Sequence, residues 1–402
     1  MSLQTAWFRS YQAVMRLAAI FLSFDPPELL EGAGSLKRLA AFIKSKGFTK
    51  VLVVTDKGLM AAHLLDCLFE SLDEQAVSYT LFDGTQANPT IQNIEDALQL
   101  YNDNRCEAVI AFGGGSAMDC AKGCAARATN PGKSIPRMRG LLKVSHRPAT
   151  LFAVPTTAGT GSETTVVAVI TDPSTHEKYA INDPKLLPDY AVLDPELTVS
   201  LPPYITATTG MDALTHAVEA YIGQSNTKNT AGQAERAVEL IFANIEIAWD
   251  DGKNLEARSN MLCASFHAGI AFTRAYIGYV HAIAHCLGGL YGVPHGLANA
   301  VILPYVLDFY GESVYEPLAR LADIAGVSSP GQSTAEKADV FIAAIRSLNQ
   351  HMGIPDKLEQ IREADIPLIV ERALHEAHPL YPVPRFMCPA DCEGVIRRVM
   401  SE

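Results

Sequence analysis

Five residues in the second half of the chain carry side chains that bind metals and move protons. Asp212 and His216 stand four apart in Gly210-Met211-Asp212-Ala213-Leu214-Thr215-His216. His281 and His285 repeat that spacing in Tyr279-Val280-His281-Ala282-Ile283-Ala284-His285, and His295 follows after a glycine-rich turn. An i, i+4 spacing places each pair on one helix face. A lone histidine on an apolar face is ordinarily a satisfied core residue. Several at helical spacing, with an aspartate, suit a metal. One carboxylate oxygen with three imidazole nitrogens fits a divalent transition metal such as Fe²⁺ or Zn²⁺, and ligand type does not separate the two. No cysteine is spaced for a Cys₂His catalytic zinc site.

A second chemistry is suggested by Gly113-Gly114-Gly115-Ser116, which joins the apolar run Ala108–Phe112 to a helical stretch, Ala117–Thr129. A tight glycine turn lets backbone N–H groups approach a phosphate, and the helix N-terminus adds positive charge. The spacing is neither GxGxxG nor GxxxxGK[ST], so shape alone leaves a phosphate cradle and a plain packing turn equally open. The loop Pro155-Thr156-Thr157-Ala158-Gly159-Thr160-Gly161-Ser162-Glu163 favours the cradle, because its hydroxyls and exposed amides suit a phosphate–ribose ligand. Asp56 ends a β-branched run. It can accept from a ribose 2′-OH and repel a 2′-phosphate, or simply cap the next helix.

The elements that must position these residues follow from pattern. Runs at 51–55, 77–82 and 107–112 alternate with helical stretches at 58–72 and 91–102, and further extended runs lie at 151–155, 165–171 and 189–194. This predicts a parallel sheet with helices on both faces. After Leu201-Pro202-Pro203 the chain turns alanine-rich and helical. The expected architecture is a Rossmann-like α/β domain over 1–203 and an all-α domain over 204–402. Ala13–Phe24, apolar but short and broken by Arg16, is expected to be a helix or strand that docks, for instance on another subunit. It is too short for a membrane span.

Composition excludes several classes. The chain has 402 residues, 48% of them hydrophobic, and a net charge of −12, so it is neither disordered nor suited to nucleic acid or an anionic membrane by bulk electrostatics. Eight cysteines are too few for a disulfide framework at this length and read as reduced cytosolic thiols; Cys388 and Cys392 form an isolated pair.

Four segments together resemble the iron-containing (group III) alcohol dehydrogenase family: GGGSAMDCAKG at 113–123, PTTAGTGSE at 155–163, GMDALTHAVEAY at 210–221 and GYVHAIAHCLGGLYGVPHG at 278–296. The resemblance runs from about Pro27 to the C-terminus. It implies a dinucleotide-binding α/β domain followed by a helical metal-binding domain. It implies metal ligation by Asp212, His216, His281 and His295, with His285 as an additional active-site histidine for substrate contact or proton relay. Nucleotide contacts are implied for Asp56, Asn88, Gly114, Gly115, Ser116, Thr156, Thr157, Thr160 and Lys178; Asn88 and Lys178 rest on resemblance alone. The implied activity is hydride transfer between NAD(H), in preference to NADP(H), and a primary or small alcohol or aldehyde, with Fe²⁺ or Zn²⁺. Glycerol- or diol-type oxidation in the same fold, a more distant dehydroquinate synthase-like chemistry, a metal-dependent hydrolase and a silent nucleotide binder are the alternatives. A cytoplasmic homo-oligomer, a dimer by preference, is expected. Arg274, Tyr276 and Tyr310 depart from the family pattern and are expected near the substrate.

Overall fold

The computed structural model describes residues 3–19, 24–173 and 177–401. They form two compact units, Ser23–Ser200 and the combination of Met1–Leu22 with Leu201–Glu402.

The first unit is built on a six-stranded parallel sheet. Its strands are β1 (Glu28–Glu31), β2 (Lys50–Val54), β3 (Ser78–Phe82), β4 (Ala108–Gly113), β6 (Thr150–Pro155) and β9 (Tyr190–Leu193), in the order β1-β9-β6-β4-β2-β3. β5 (Gly140–Leu141), β7 (Val167–Asp172) and β8 (Glu177–Asn182) form a separate small sheet. The run at 165–171 is therefore a strand outside the parallel sheet, in an antiparallel pair with β8. Hydrophobic residues run continuously along β2, β4 and β6 because both faces are covered. Leu52, Val54, Val109, Ala111, Leu151 and Ala153 enter one core with Ile94 and Met118. The intervening Val51, Val53, Ala108, Ile110, Phe112, Phe152 and Val154 enter the other with Leu39 and Leu72.

Strand order reverses between β2 and β4: β2 leads to β3 on one side, and the chain then continues through β4, β6 and β9 on the other. Open α/β sheets bind ligands at the C-terminal strand ends of such a switch point. Asp56 follows β2 and the glycine turn follows β4.

The stretch 58–72 is not one helix. It divides into Lys57–Ala61 and Asp66–Glu74 around His63, whose φ is +58°. No glycine or proline marks that break. The N-terminal stretch is a helix, Leu3–Ala19, that starts earlier than expected and docks on its own chain. Arg9 donates to the Pro384 carbonyl, Gln12 donates to the Pro379 and Tyr381 carbonyls, and Phe8 packs on His378 and Phe386. Residues 20–23 of that stretch lie outside the described residues.

The second unit is otherwise helical. Its centre is the helix Pro203–Ile222, buried over most of its length. Around it lie Lys228–Asp250, Leu255–Ala275, Tyr279–Tyr291 and His295–Tyr310. Capping residues set the boundaries: Thr227 with Thr230 and Asn254 cap two N-termini, and Gly292, at φ +69°, ends Tyr279–Tyr291.

Two glycines in this unit predict opposite outcomes. A Cβ on Gly296 would stand 2.4 Å from the Thr208 carbonyl oxygen of the central helix, which cannot give way without moving backbone. Gly296→Ala should cost about 3 kcal/mol, at the upper end of overpacking. Gly232, within Lys228–Asp250, has nothing within 4 Å of its would-be Cβ. Gly232→Ala should stabilise by about 0.5–1 kcal/mol. Thermal melting of both variants checks the signs.

Candidate metal centre and nucleotide site

Three helices deliver the metal-type side chains. Asp212 and His216 lie one turn apart on Pro203–Ile222, His281 and His285 one turn apart on Tyr279–Tyr291, and His295 opens His295–Tyr310. One ligand-type atom from each of Asp212, His216, His281 and His295 lies within 4.8 Å of the others. Metal–ligand bonds of about 2.0–2.2 Å bridge that spread with little rearrangement. The side chains of Asp212 and His281 are buried, whereas His295 is 39% exposed, so the cluster has one open side.

The hydrogen bonds around the cluster suit a metal. His281 Nδ1 lies 2.6 Å from Glu219 Oε2. The same carboxylate accepts from the backbone N–H groups of Gly278 (2.9 Å) and Val280 (2.8 Å). A carboxylate acceptor requires the proton on Nδ1, which leaves the lone pair on Nε2. That Nε2 is buried and has no hydrogen-bond partner among the described residues. Burial, then the neighbouring His216, His295 and His285, drive the His281 pKa well below its ordinary value. The ring is thus a neutral donor aimed into the cluster, as a ligand must be. Burial pushes the Glu219 carboxyl up to about 7 against its three N–H donors. His216 stacks between Phe272 (4.1 Å between ring centroids) and His281 (4.5 Å).

The sequence reading missed four supporting residues. Glu219 follows His216 by three within the quoted motif, on the same helix face. Asn299 stands one turn after His295; its amide nitrogen lies 2.6 Å from Asp212 Oδ1 and 3.1 Å from His295 Nε2. Glu376 lies 2.7 Å from His285 Nδ1, and Tyr381 donates to the same Glu376 oxygen at 2.8 Å. These last two are remote in sequence, so no local spacing announces them. Tyr310 is 2% exposed, its ring 6.3 Å from Tyr279, and is part of the core. Arg274 is exposed in the last turn of Leu255–Ala275, and Tyr276 caps that helix at φ +68°. Cys388 caps the helix Pro389–Val399, and all eight cysteines are free thiols.

The second candidate site occupies the C-terminal edge of the parallel sheet. Gly113 pairs with Pro155 across β4 and β6, and Thr156 N–H donates to the Gly113 carbonyl at 3.1 Å, so the glycine turn and the threonine loop start side by side. Gly113 has φ +147°, and a Cβ there would meet Ala117 at 2.8 Å, which only glycine tolerates. Positions where a Cβ on Gly114 or Gly115 would sit face Thr157 (3.5 Å) and Thr160 (3.1 Å). Ser116 Oγ donates to the Ala87 carbonyl, and Lys178 Nζ donates to Asn88 Oδ1 at 2.7 Å. Asp56 Oδ1 accepts from Leu59 N–H at 3.0 Å, so the helix cap is formed. Its Oδ2 lies 3.9 Å from the position of a Cβ on Gly113, beside the turn.

Beneath the turn lies a buried ionic cluster. Lys122 Nζ donates to Ser162 Oγ, Thr165 Oγ1 and the Thr165 and Val167 carbonyls at 2.7–3.0 Å. Asp119 accepts from Ser162 Oγ and Val169 N–H. Burial moves all three ionisable groups: Lys122 down to about 8, Asp119 up to about 6 and Glu163 up to about 7. The helix Gly115–Thr129 is thereby fastened to the far end of the threonine loop.

A parallel sheet with a phosphate-type turn at its switch point, followed by a helical unit carrying a carboxylate–triimidazole cluster, defines the class of metal-assisted, dinucleotide-type oxidoreductases. The family model "Iron-containing alcohol dehydrogenase" matches residues 26–195, and "Fe-containing alcohol dehydrogenase family, C-terminal" matches 206–400. Alcohol dehydrogenase 4 of Schizosaccharomyces pombe is 42% identical over 356 residues, which cover 88% of this chain and 83% of that one. The crystal structure of a 1,3-propanediol oxidoreductase superposes with a TM-score of 0.90 at 37% identity, covering 94% of this chain and 100% of that one. Sulfoacetaldehyde reductase from Bifidobacterium kashiwanohense, in complex with NAD⁺, superposes with a TM-score of 0.86 at 29% identity, covering 94% and 98%. This chain belongs to the iron-containing alcohol dehydrogenase family.

Removing the carboxylate behind the buried imidazole should weaken metal binding without deleting a ligand. Glu219→Gln places an amide N–H among three N–H donors. Fe²⁺ or Zn²⁺ affinity should fall about 10–100-fold, the usual cost of losing such a partner. Competition with a chelator of known affinity measures it; unchanged affinity would show that Glu219 is structural only.

Proposed function

We propose that this enzyme transfers hydride reversibly between NAD(H) and a primary or small alcohol or its aldehyde. The convergence of Asp212, His216, His281 and His295 supports this reading best, with the His281 lone pair fixed toward them. These four residues would hold Fe²⁺, and Zn²⁺ is compatible with the same donors. When bound, the metal supplies Lewis-acid polarisation of the substrate oxygen and the nicotinamide supplies the hydride carrier.

The chain's own residues supply placement and proton handling. Glu219 sets the His281 tautomer, and Asn299 holds the Asp212 carboxylate. His285 is the proton relay in this reading, because the ligand imidazoles have their lone pairs engaged. Its side chain is 37% exposed, which allows a reacting group to approach. The unit of residues 23–200 takes the nucleotide, with Gly114, Gly115, Ser116, Thr156, Thr157 and Thr160 around the pyrophosphate. Asn88 and Lys178 act there as a hydrogen-bonded pair. Asp56 keeps one oxygen on its helix cap and offers the other to the adenosine ribose, which favours NAD over NADP. The likeness to a 1,3-propanediol oxidoreductase makes a small diol the second substrate class to assay.

No helix among the described residues is long and apolar enough to cross a membrane. Free thiols throughout accord with a reducing, cytoplasmic setting. A homodimer is the proposed assembly, and light scattering on the purified protein decides it.

Two pairs of measurements test the site. His281→Ala should lose metal and turnover together, whereas His285→Ala should keep its metal and lose about 10²–10⁴-fold in kcat, the range for a general acid–base group. Elemental analysis beside steady-state kinetics separates the roles, and loss of metal from His285→Ala would make it a ligand. Asp56→Ser retains an N-cap oxygen but removes the charge. The NADP/NAD ratio of kcat/KM should then rise about a hundredfold, or ~2.8 kcal/mol, with little change in melting temperature. A wild-type enzyme that already prefers NADPH would defeat the cofactor assignment.

A further inference from the structure

His285 is held from behind. Its Nδ1 lies 2.7 Å from Glu376 Oε1 on the helix Ile366–Ala377, and its ring stacks on His295 at 5.2 Å and 12°. Tyr381 donates its hydroxyl to the same Glu376 oxygen at 2.8 Å. A carboxylate can only accept, and Tyr381 already supplies one proton to this oxygen, so the ring nitrogen facing it must carry a proton. Nε2 is then the nitrogen that can take a proton from a reacting group.

The support extends to the N-terminal helix. Gln12 is 7% exposed and donates to the Tyr381 carbonyl at 2.7 Å and the Pro379 carbonyl at 2.9 Å. It thereby holds the segment that carries the Tyr381 hydroxyl. Burial pushes the Glu376 carboxyl up, but His285 and the Tyr381 hydroxyl outweigh that and hold it below the usual carboxylate range.

We propose that Glu376 is a positioning residue that fixes the tautomer and orientation of His285, with Tyr381 and Gln12 bracing it from the other side. This rests on His285 as the proton relay. The pair divides its work as carboxylate–histidine pairs do elsewhere: the carboxylate orients and the imidazole exchanges the proton.

Two experiments test the proposal independently. In the first, kinetics are measured on metal-loaded wild type, Glu376→Ala, Glu376→Gln, His285→Ala and the double variant Glu376→Ala/His285→Ala. Glu376→Ala should lose at least about tenfold in kcat, and no more than His285→Ala. Its KM for the alcohol and its metal content should hold. Glu376→Gln keeps an acceptor oxygen and should recover most of the rate. The double variant should be no slower than His285→Ala, because Glu376 acts through that ring. Additive losses, or a full rate for Glu376→Ala, overturn the proposal. Full rate for His285→Ala overturns the relay reading instead.

The second experiment uses metal-free protein with ¹⁵N-labelled histidine, the His285 signals being those lost in His285→Ala. Wild type should show the Nδ1–H tautomer and Glu376→Ala a shift toward Nε2–H. An Nε2–H tautomer in wild type, or no change in the variant, overturns the positioning role whatever the kinetics show.

Discussion

A buried imidazole must stay neutral and present one particular nitrogen if it is to bind a metal, and much of the helical unit serves that constraint at His281. Glu219 meets it with one carboxylate and three N–H groups. Two of those are backbone groups at the start of Tyr279–Tyr291, so the contact that selects the tautomer also anchors the helix. The close approach of Gly296 to Thr208 then sets the distance between the helices that carry His295 and Asp212. Charge would close as well: the carboxylates of Asp212 and Glu219 would balance a dication placed in the cluster, lowering the cost of holding it away from water.

The sheet edge faces a different requirement if it is to take a nucleotide, that of bringing backbone close to a ligand without collapse of the loops. Gly113 supplies the close approach. Lys122, an ammonium surrounded by Ser162, Thr165 and Val167 oxygens, ties the far end of the threonine loop to the helix that follows the glycine turn. Burying that charge is costly and tolerable only because its donors are fully used.

The site-bearing elements were legible in the sequence because their signals are local. Residues four apart on helices, glycines between a strand and a helix, and a carboxylate at a strand end each carry their meaning within a few positions. The resemblance then ordered those fragments into one family. Features set by distant partners were not legible. Glu376 reaches His285 across 91 positions, and β7 leaves the parallel sheet because β8 pairs with it. The break at His63 has no glycine or proline to mark it. The first helix showed its apolar character but not its partner, which is the far end of the same chain. Glu219 and Asn299 fall between these cases: their spacing was visible, but both types also serve as ordinary helix residues.

That first helix has a consequence for how the polypeptide is assembled. Gln12 bonds a carbonyl 367 residues further on. At a ribosomal rate of about 5–20 residues per second, roughly 20–70 s separate the two ends of this contact. During that interval the amphipathic segment emerges with no surface to cover it. The helix is thus made well before the surface that seats it.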